Sequence, residues 1–533
     1  MSFIYDSMRP YQREGAKFGK HFLLADQPGL GKTIQTLAAI MRSARKTTER
    51  QEHLVLSPSV AVLNVWEPEV RRWLKDRKIE VVPLTGTLAQ REARLTLHVP
   101  DADTEHVFFI ANIESARIIP KTNPKSGKRD VFNLTVTYEV SDTGKERATG
   151  PVLPALFERE WDTVIVDESH RALIRTNGTP SATRQGMVFL GKLAGRRIAL
   201  SGTPMRGKPP QLWGTLNWLR PDLYRSYWKW VKEFFEVESN GFSNYVIATD
   251  EKGNAKFKPG MRKRLAKSLS SIMLRRTKAE VLPDLPPKQY AGTYAIPEDT
   301  DSPLGVWLEP TPKMLKQIAL LETDAMVLGE EELMVNGSLA YYTRAKQLAC
   351  GYCNVRDGKL VPTTDSPKFE WLLDWLENSG GEKIVVVSQF TSLLNVYSAA
   401  LKEKGYNVAL LTGETSELTR RRIVQQFQET DEVQVFMLNT QAGGVALTLD
   451  AADYLVFLDE TTIPDDQEQA EDRIHRASRM HNVTIYYLRT LGTIDEEVAF
   501  VAAARANVQS YLLDGARGVE FAKRLYQETK QAA

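Results

Sequence analysis

The sequence predicts an α/β chain with two parallel-sheet domains in tandem and a largely helical region between them. Short apolar runs that read as buried strands alternate with helix-periodic stretches in the first two hundred residues. The same rhythm is interrupted in the middle of the chain and returns from Ser366 onward. A Gly-rich turn joins the first apolar run to the first long helical stretch, and the second domain has no counterpart of it.

Length and composition agree with that class. A chain of 533 residues has material for two or three domains. With 42% apolar and 26% charged residues it has the balance of a globular protein. No apolar run approaches the roughly 20 residues that span a bilayer, so no membrane partner is expected. The start, Met1 to Asp6, lacks a basic region followed by an apolar core, so no secretory signal is expected. The 2 cysteines exclude a disulfide framework and suggest a reducing compartment. Net charge is only +2, so bulk charge does not argue for nucleic acid. Local charge is more informative: Lys121 to Arg129 and Lys252 to Lys278 are basic runs. Each reads as a solvated face or as a surface that tracks phosphates.

Taken in order, Met8 to Gly15 leads into a short helix, and the Gln12 amide can both donate and accept, which suits the edge of adenine. Phe22 to Ala25 reads as a strand, Asp26 to Gly31 as a turn, and Ile34 to Ile40 as a helix. Strand, Gly-rich turn and helix form the context of a phosphate-binding loop, where backbone N–H groups and the helix dipole face anionic oxygens. In that reading Gly29 and Gly31 shape the loop, Lys32 reaches the β- and γ-phosphates, and the Thr33 hydroxyl ligates Mg²⁺. Asp26 occupies the place of the first glycine in the usual G-x-x-x-x-G-K-T pattern.

His53 to Ser57 and Val107 to Asn112 are further strands, and Leu63 to Leu74 is an amphipathic helix with Trp66 and Trp73 read as core residues. Residues 117–155 break the pattern: a basic loop, an alternating stretch from Val131 to Val140 and a turn at Ser141 to Gly144 read as an inserted β-hairpin. The strand Thr163 to Val166 runs directly into Asp167-Glu168-Ser169-His170. Two carboxylates at the end of a parallel strand lie where open α/β sheets bind ligands. Asp167 suits holding Mg²⁺ through water, and Glu168 suits polarising an attacking water. Arg197 to Leu200 is a further strand, followed by Ser201-Gly202-Thr203-Pro204.

Trp213 to Phe235 reads as aromatic helix, Pro283 to Lys288 as a linker, and residues 310–350 as helices. Cys350 and Cys353 cannot complete a tetrahedral metal site without further Cys or nearby His. In the second domain, strands are expected at Lys383 to Ser388, Val408 to Gly413, Val433 to Leu438, Tyr454 to Asp459 and Thr484 to Leu488, with a helix from Asp465 to Arg479. The expected divisions are residues 1–220, a middle region 221–365, a second sheet domain 366–500, and a helical segment 501–533.

Taken together these stretches resemble the Swi/Snf-type ATPases of helicase superfamily two, in order and over roughly residues 8–500. Arg9-Pro10-Tyr11-Gln12 is like that family's adenine-reading segment, and Asp26 in place of the first glycine looks like its usual form of the loop. Asp167 to His170 is similar to its D-E-A-H box, and Ser201 to Pro204 to its third motif. Leu274 to Lys278 with Leu285 to Lys288 looks like its basic segment and linker. Ser388 to Thr391, Leu438 to Gly444 and Gln469 to Arg476 resemble its later motifs.

The resemblance implies two RecA-like lobes in tandem with helical insertions, ATP and Mg²⁺ as cofactors, and duplex DNA as partner. Its catalytic set would be Lys32, Asp167, Glu168, Gln469, Arg473 and Arg476. Arg473 and Arg476 are three apart and so on one helix face, and Arg476 is the expected arginine finger. ATP would be met by Arg9, Gln12, Asp26, Gly29, Gly31, Lys32 and Thr33. Ser57, Thr203, Thr440, Gly443 and Gly444 would contact nucleic acid, with Lys121, Lys125, Lys128 and Arg129 in the insertion as a further surface.

There are departures. Thr461-Thr462-Ile463-Pro464 stands where the family usually has D-W-N-P, and Ala477-Ser478-Arg479 replaces I-G-Q. The Q-A-E-D-R form and Leu200 to Pro204 look closer to the family's annealing-helicase and distant branches than to nucleosome remodellers, and the compact length looks more like a bacterial or viral member. The expected activity is ATP-driven translocation on double-stranded DNA by a monomer, cytoplasmic in a bacterium or infected cell and nuclear in a eukaryote. Strand separation on DNA or RNA, and a non-catalytic DNA-binding scaffold, are the alternatives.

Overall fold

The structure is a computed structural model. It describes the chain apart from residues 1–2, 45–48, 124–127, 141–145, 175–180, 240–244, 251–253, 298, 300–301, 322–324, 329–330, 335–337, 441–446, 477–478 and 514–533. Two compact units divide it at Pro283 and Asp284, with the described residues from Gln509 onward assigned to the first.

The first unit is built on seven parallel strands: β1 (His21–Leu24), β2 (Gln51–Ser57), β3 (Ile79–Pro83), β4 (His106–Asn112), β5 (Trp161–Val166), β6 (Ala194–Leu200) and β7 (Met273–Leu274). Their order across the sheet is β7-β1-β6-β5-β2-β4-β3, and every pairing is parallel. Leu23, Leu24, Val164, Ile165, Ile198 and Ala199 are fully buried, as strands covered on both faces require. Because β1, β6 and β5 are neighbours and run the same way, the turns that follow them emerge at one edge of the sheet. Those turns begin at Ala25, Ser201 and Asp167.

The helix α1 (Pro10–Gly15) precedes β1, and α2 (Lys32–Ala44) follows the Gly-rich turn. The expected helix over Leu63 to Leu74 is present but not uniform: a π-helical turn at Val62–Trp66 separates Ser59–Ala61 from Glu67–Trp73. The insertion at 117–155 is more than one hairpin. Thr137–Val140 pairs antiparallel with Glu146–Thr149, Ile118–Ile119 with Gly150–Pro151, and Lys121–Thr122 with Arg129–Val131.

The second unit carries β8 (Lys288–Ala291), β9 (Thr293–Tyr294), β10 (Leu304–Leu308), β11 (Ile384–Ser388), β12 (Val408–Leu411), β13 (Val435–Asn439), β14 (Tyr454–Phe457) and β15 (Val483–Thr490). The order is β9-β10-β15-β14-β11-β13-β12, with β8 beside the first half of β15. Only the β9–β10 pairing is antiparallel. One face of the sheet packs Leu411, Phe427, Phe436, Leu438, Phe457 and Ile474 together, and the other packs Phe369, Leu372, Val386, Leu394, Tyr397 and Met437.

The middle region departs from expectation. Residues 221–365 are not a separate helical layer: they supply β7 to the first sheet and β8, β9 and β10 to the second. β7 and β9 are two residues long and β8 is mixed in polarity, so their pairing comes from the neighbouring strand and leaves no periodic pattern of their own. Within 310–350, the helices Pro312–Leu321 and Ser338–Ala349 flank an antiparallel pair, Ala325–Leu328 with Glu331–Met334. Cys350 and Cys353 are buried, and burial pushes both thiols up, so they act as small core groups. Among the described residues no cluster of His, Cys, Asp and Glu could hold a metal, and no helix is long and apolar enough to cross a membrane.

One buried ion pair fixes the second unit internally. Lys368, wholly shielded from solvent, donates from Nζ to Asp495 Oδ2 at 2.6 Å and to the Leu458 carbonyl at 2.7 Å. Removing one partner leaves an uncompensated buried charge. Lys368→Ala should therefore cost about 3–5 kcal/mol, measured by chemical denaturation; an unchanged midpoint would show that the pair carries no weight.

Candidate nucleotide-binding site

The site is assembled from the three turns at one edge of the first sheet. Gly29 and Gly31 adopt left-handed backbone, with φ of 86° and 76°. A side chain at Gly31 would also meet Gln12, since a Cβ there would lie 2.5 Å from Gln12 Nε2. The turn thus needs glycine twice, for conformation and for close approach. It delivers the chain into α2, whose first-turn N–H groups have no intrahelical acceptor and are available to an anion. Lys32 Nζ donates to the Asp26 carbonyl at 2.9 Å, folding the side chain back over the turn. Thr33 lies half-buried in the same first turn.

Asp26 does not face that anion site. Its carboxylate is fully buried and is gripped by Arg276, with Nη2 to Oδ2 at 2.5 Å and Nε to Oδ1 at 3.1 Å. Gln35 donates to the same carboxylate at 3.0 Å and accepts from Arg276 Nη2 at 2.6 Å. Arg276 also donates to the Tyr11 carbonyl, and its guanidinium lies 5.1 Å from the centre of the Tyr11 ring. Arg275 beside it donates to the Ala25 carbonyl at 2.8 Å and the Gly202 carbonyl at 2.7 Å. The basic segment read as a solvated or phosphate-tracking surface therefore turns two arginines inward, onto the turn's own backbone and carboxylate.

The segment before β1 closes the other side. Gln12 accepts from the Arg9 N–H at 2.9 Å and donates to the Leu30 carbonyl at 3.2 Å, and Tyr11 Oη donates to the same carbonyl at 3.2 Å. Gln12 is thereby fixed against the turn, while Arg9 is exposed beside it.

The carboxylates stand at the end of β5. Glu168 adopts left-handed backbone at φ 46°, a cost a non-glycine residue bears only when its surroundings enforce it. Asp167 Oδ2 accepts from Trp66 Nε1 at 2.9 Å, and Oδ1 accepts from the Glu168 N–H at 2.9 Å. Burial pushes both carboxyls up, Glu168 to about 7 with help from the neighbouring Asp167 charge, and Lys32 opposes the shift in both. Lys32 is thus within electrostatic reach of the pair.

Glu168 Oε2 is buried with no hydrogen-bond partner and lies 3.4 Å from His170 Nδ1. Burial holds the His170 imidazole down at about 3, so it is neutral and this contact is not an ion pair. The ring instead meets Ser201 Oγ at 2.9 Å, which joins the turn after β5 to the turn after β6. Ser201 Oγ also accepts from the Thr203 N–H at 3.1 Å. An Asp carboxylate and a Thr hydroxyl are hard oxygen donors too few to enclose a cation. That suits Mg²⁺, which keeps waters and phosphate oxygens as its remaining ligands. The unpartnered buried oxygen of Glu168 is available to a water.

Some expectations need revision. The helix α3 (Pro464–Ile474) of the second unit stops five residues short of Arg479, so Arg473 and Arg476 do not share one helix face. Arg473 is buried on α3 one turn after half-buried Gln469, whereas Arg476 lies beyond the helix end. The helix ends because His475 turns to the Pro286 carbonyl at 2.7 Å and Arg479 donates to the Asp450 and Ala452 carbonyls at 2.8 and 2.7 Å. Arg476 Nη2 donates to the Leu447 carbonyl at 2.8 Å, its Nε has no partner, and burial lowers its basicity.

Ser57 and Thr203 are fully buried, and the Ser57 hydroxyl donates to the Pro58 carbonyl at 3.3 Å. Thr440 is half-buried and donates its N–H to the Ser388 carbonyl at 3.1 Å. Gly443, Gly444 and Lys125 lie outside the described residues. Lys128 and Arg129 are exposed and Lys121 half-buried. The sequence reading missed the polar role of Trp66, taken as a core ring, and the inward partners of Arg275 and Arg276; none has a local signature.

Comparisons with known proteins can be set beside this geometry. The model of the SNF2-related domain matches residues 13–298, and that of the helicase conserved C-terminal domain matches residues 367–478. The chain is 27% identical over 533 residues to the Probable ATP-dependent DNA helicase CHR23 of Arabidopsis thaliana, covering 95% of this chain and 43% of that protein. It is 24% identical over 580 residues to the human Lymphoid-specific helicase, covering 95% and 63%. The chain thus spans less than two thirds of the length of either relative. Among solved structures, the Sulfolobus solfataricus SWI2/SNF2 ATPase core in complex with dsDNA is 22% identical, covers 96% of this chain and 94% of that one, and has a TM-score of 0.38.

Asp26→Gly restores the glycine of the common loop pattern but strands Arg276 as a buried, uncompensated cation. The expected result is a loss of about 3–5 kcal/mol in chemical denaturation, partly recovered by adding Arg276→Met. A variant as stable as the parent would contradict this reading of Asp26.

Proposed function

We propose, for a chain that belongs to the SNF2-related family, that it is an ATP-hydrolysing motor that moves along double-stranded DNA. The observation that carries the reading is Lys32, at the start of α2 after the Gly-rich turn, standing within electrostatic reach of the buried Asp167 and Glu168 carboxylates, with Thr33 the next residue of the same helical turn.

In this reading the turn from Asp26 to Gly31 and the first turn of α2 hold the phosphates. Lys32 leaves the Asp26 carbonyl for the β- and γ-phosphates. Arg9 and Gln12 border the adenine. Thr33 and Asp167 hold Mg²⁺, which when bound supplies the charge that offsets the phosphate oxygens in the transition state. Glu168, ionised in the charged site, orients the attacking water and draws its proton. Arg476 acts as the arginine finger, with Gln469 and Arg473 supporting the same step. ATP binding and hydrolysis would then alternate the grip of the two lobes on the duplex.

The nucleic-acid surface would include Thr440 and the Gly443-Gly444 backbone, with Lys121, Lys125, Lys128 and Arg129 of the insertion tracking phosphates. Ser57 and Thr203, both buried, would contribute through the backbone turns they hold. The protein would work as a monomer, wherever the cell holds its DNA: the cytoplasm of a bacterium or infected cell, or a nucleus.

The test is ATP hydrolysis with duplex DNA, single-stranded DNA or RNA added. Stimulation should be greatest with duplex, and Lys32→Ala and Arg476→Ala should each lower turnover by about a thousand-fold or more while DNA binding persists. Wild-type rates in either variant, or no response to duplex DNA, would contradict the proposal.

A further inference from the structure

The strongest unexplained group near the carboxylates is Trp66. It is completely buried, and its indole N–H donates to Asp167 Oδ2 at 2.9 Å. Asp167 Oδ1 is occupied by the Glu168 N–H, so among the described residues the indole is the side chain that orients the second oxygen. The residue is delivered there by an irregular backbone. The segment after β2 passes through the π-helical turn Val62–Trp66 before regular helix resumes at Glu67. Such a turn inserts one extra residue into a helix and re-aims its side chains, and it is found disproportionately at functional sites.

Core packing alone would leave the choice of partner open. A buried indole needs an acceptor, but a backbone carbonyl serves as well, as Trp161 and Trp218 show by donating to the Leu156 and Met187 carbonyls at 3.1 and 2.7 Å. Trp66 instead donates to the carboxylate that ends β5. The carboxylate has one remaining direction on each oxygen for a ligand, and its plane is fixed from both sides.

We infer that Trp66 is a positioning residue: its N–H holds the Asp167 carboxylate in the orientation that receives Mg²⁺. The inference rests on the proposed Mg²⁺ role of Asp167. Groups that hydrogen-bond a metal-bearing side chain typically change metal affinity by about 10- to 100-fold when removed. Trp66 would exert its effect on the cation and leave nucleotide binding without the cation untouched. It sits on the segment leaving β2, so the position of that segment and the aim of the Asp167 carboxylate are mechanically joined.

The test is equilibrium binding of a fluorescent, non-hydrolysable ATP analogue, titrated with Mg²⁺, to the full chain and to Trp66→Phe. Binding in excess EDTA should match the parent, while the Mg²⁺ midpoint should rise about tenfold. Turnover lost at low Mg²⁺ should return at high Mg²⁺. Replacing Trp66 by β-(3-benzothienyl)alanine exchanges the N–H for sulfur at nearly constant shape, and carries the same expectation if the phenylalanine variant does not fold. An unchanged Mg²⁺ midpoint, equal loss of binding in EDTA, or failure of the benzothienyl protein to fold would each overturn the inference. A parent protein whose analogue binding ignores Mg²⁺ would instead overturn the proposed role of Asp167.

Discussion

The buried carboxylate of Asp26 sets the terms for the first unit. A carboxylate at zero exposure must be paired and hydrogen-bonded or it destabilises the fold by several kcal/mol. Here the compensation comes from Arg276, 250 residues away, with Gln35 bridging the two. Because Arg276 lies two residues beyond the end of β7, the pair brings the end of the outermost strand to the turn after β1. The Asp26 carboxylate faces this inner network while its carbonyl receives Lys32. One residue thus anchors the turn and parks the lysine of the phosphate site.

The rest of the site follows from sheet order. Parallel strands place successive turns on one edge, and the order β1-β6-β5 makes three of those turns neighbours. Hydrogen bonds then lock them together: Arg275 ties the turns after β1 and β6, and the neutral His170 ties those after β5 and β6. Such cross-links are strong only when every member is satisfied. Beside them Glu168 Oε2 is buried with no hydrogen-bond partner among the described residues, and the proposed hydrolysis assigns a water to it. The raised Glu168 carboxyl and its left-handed backbone place strain and electrostatic cost at the same residue, a pattern typical of sites of chemistry.

Much of this was legible in the sequence, for physical reasons. Runs such as Val164 to Val166 and Ile384 to Val387 are apolar without interruption because both faces of a parallel strand are covered, and they lie in strands where expected. Gly29 and Gly31 mark their turn by conformation. What was not legible depends on distant partners. Lys288 and Gln289 carry no strand pattern and become β8 because β15 offers a free half-edge. Arg276 looks like any surface arginine until Asp26 is brought to it. Trp66 reads as a core ring, since a π-helical turn has no spacing signature. The helix expected to continue to Arg479 stops at Ile474 because His475 and Arg479 find carbonyls outside it.

An ATP site of this kind becomes a motor only if turnover is linked to displacement along the duplex. The direct measurement is displacement of a third strand from a DNA triplex, followed during ATP hydrolysis. The third strand should be released only with hydrolysable ATP and intact Lys32, while the underlying duplex stays paired. Release of one strand of the duplex itself, or hydrolysis with no displacement of the third strand, would contradict translocation on double-stranded DNA.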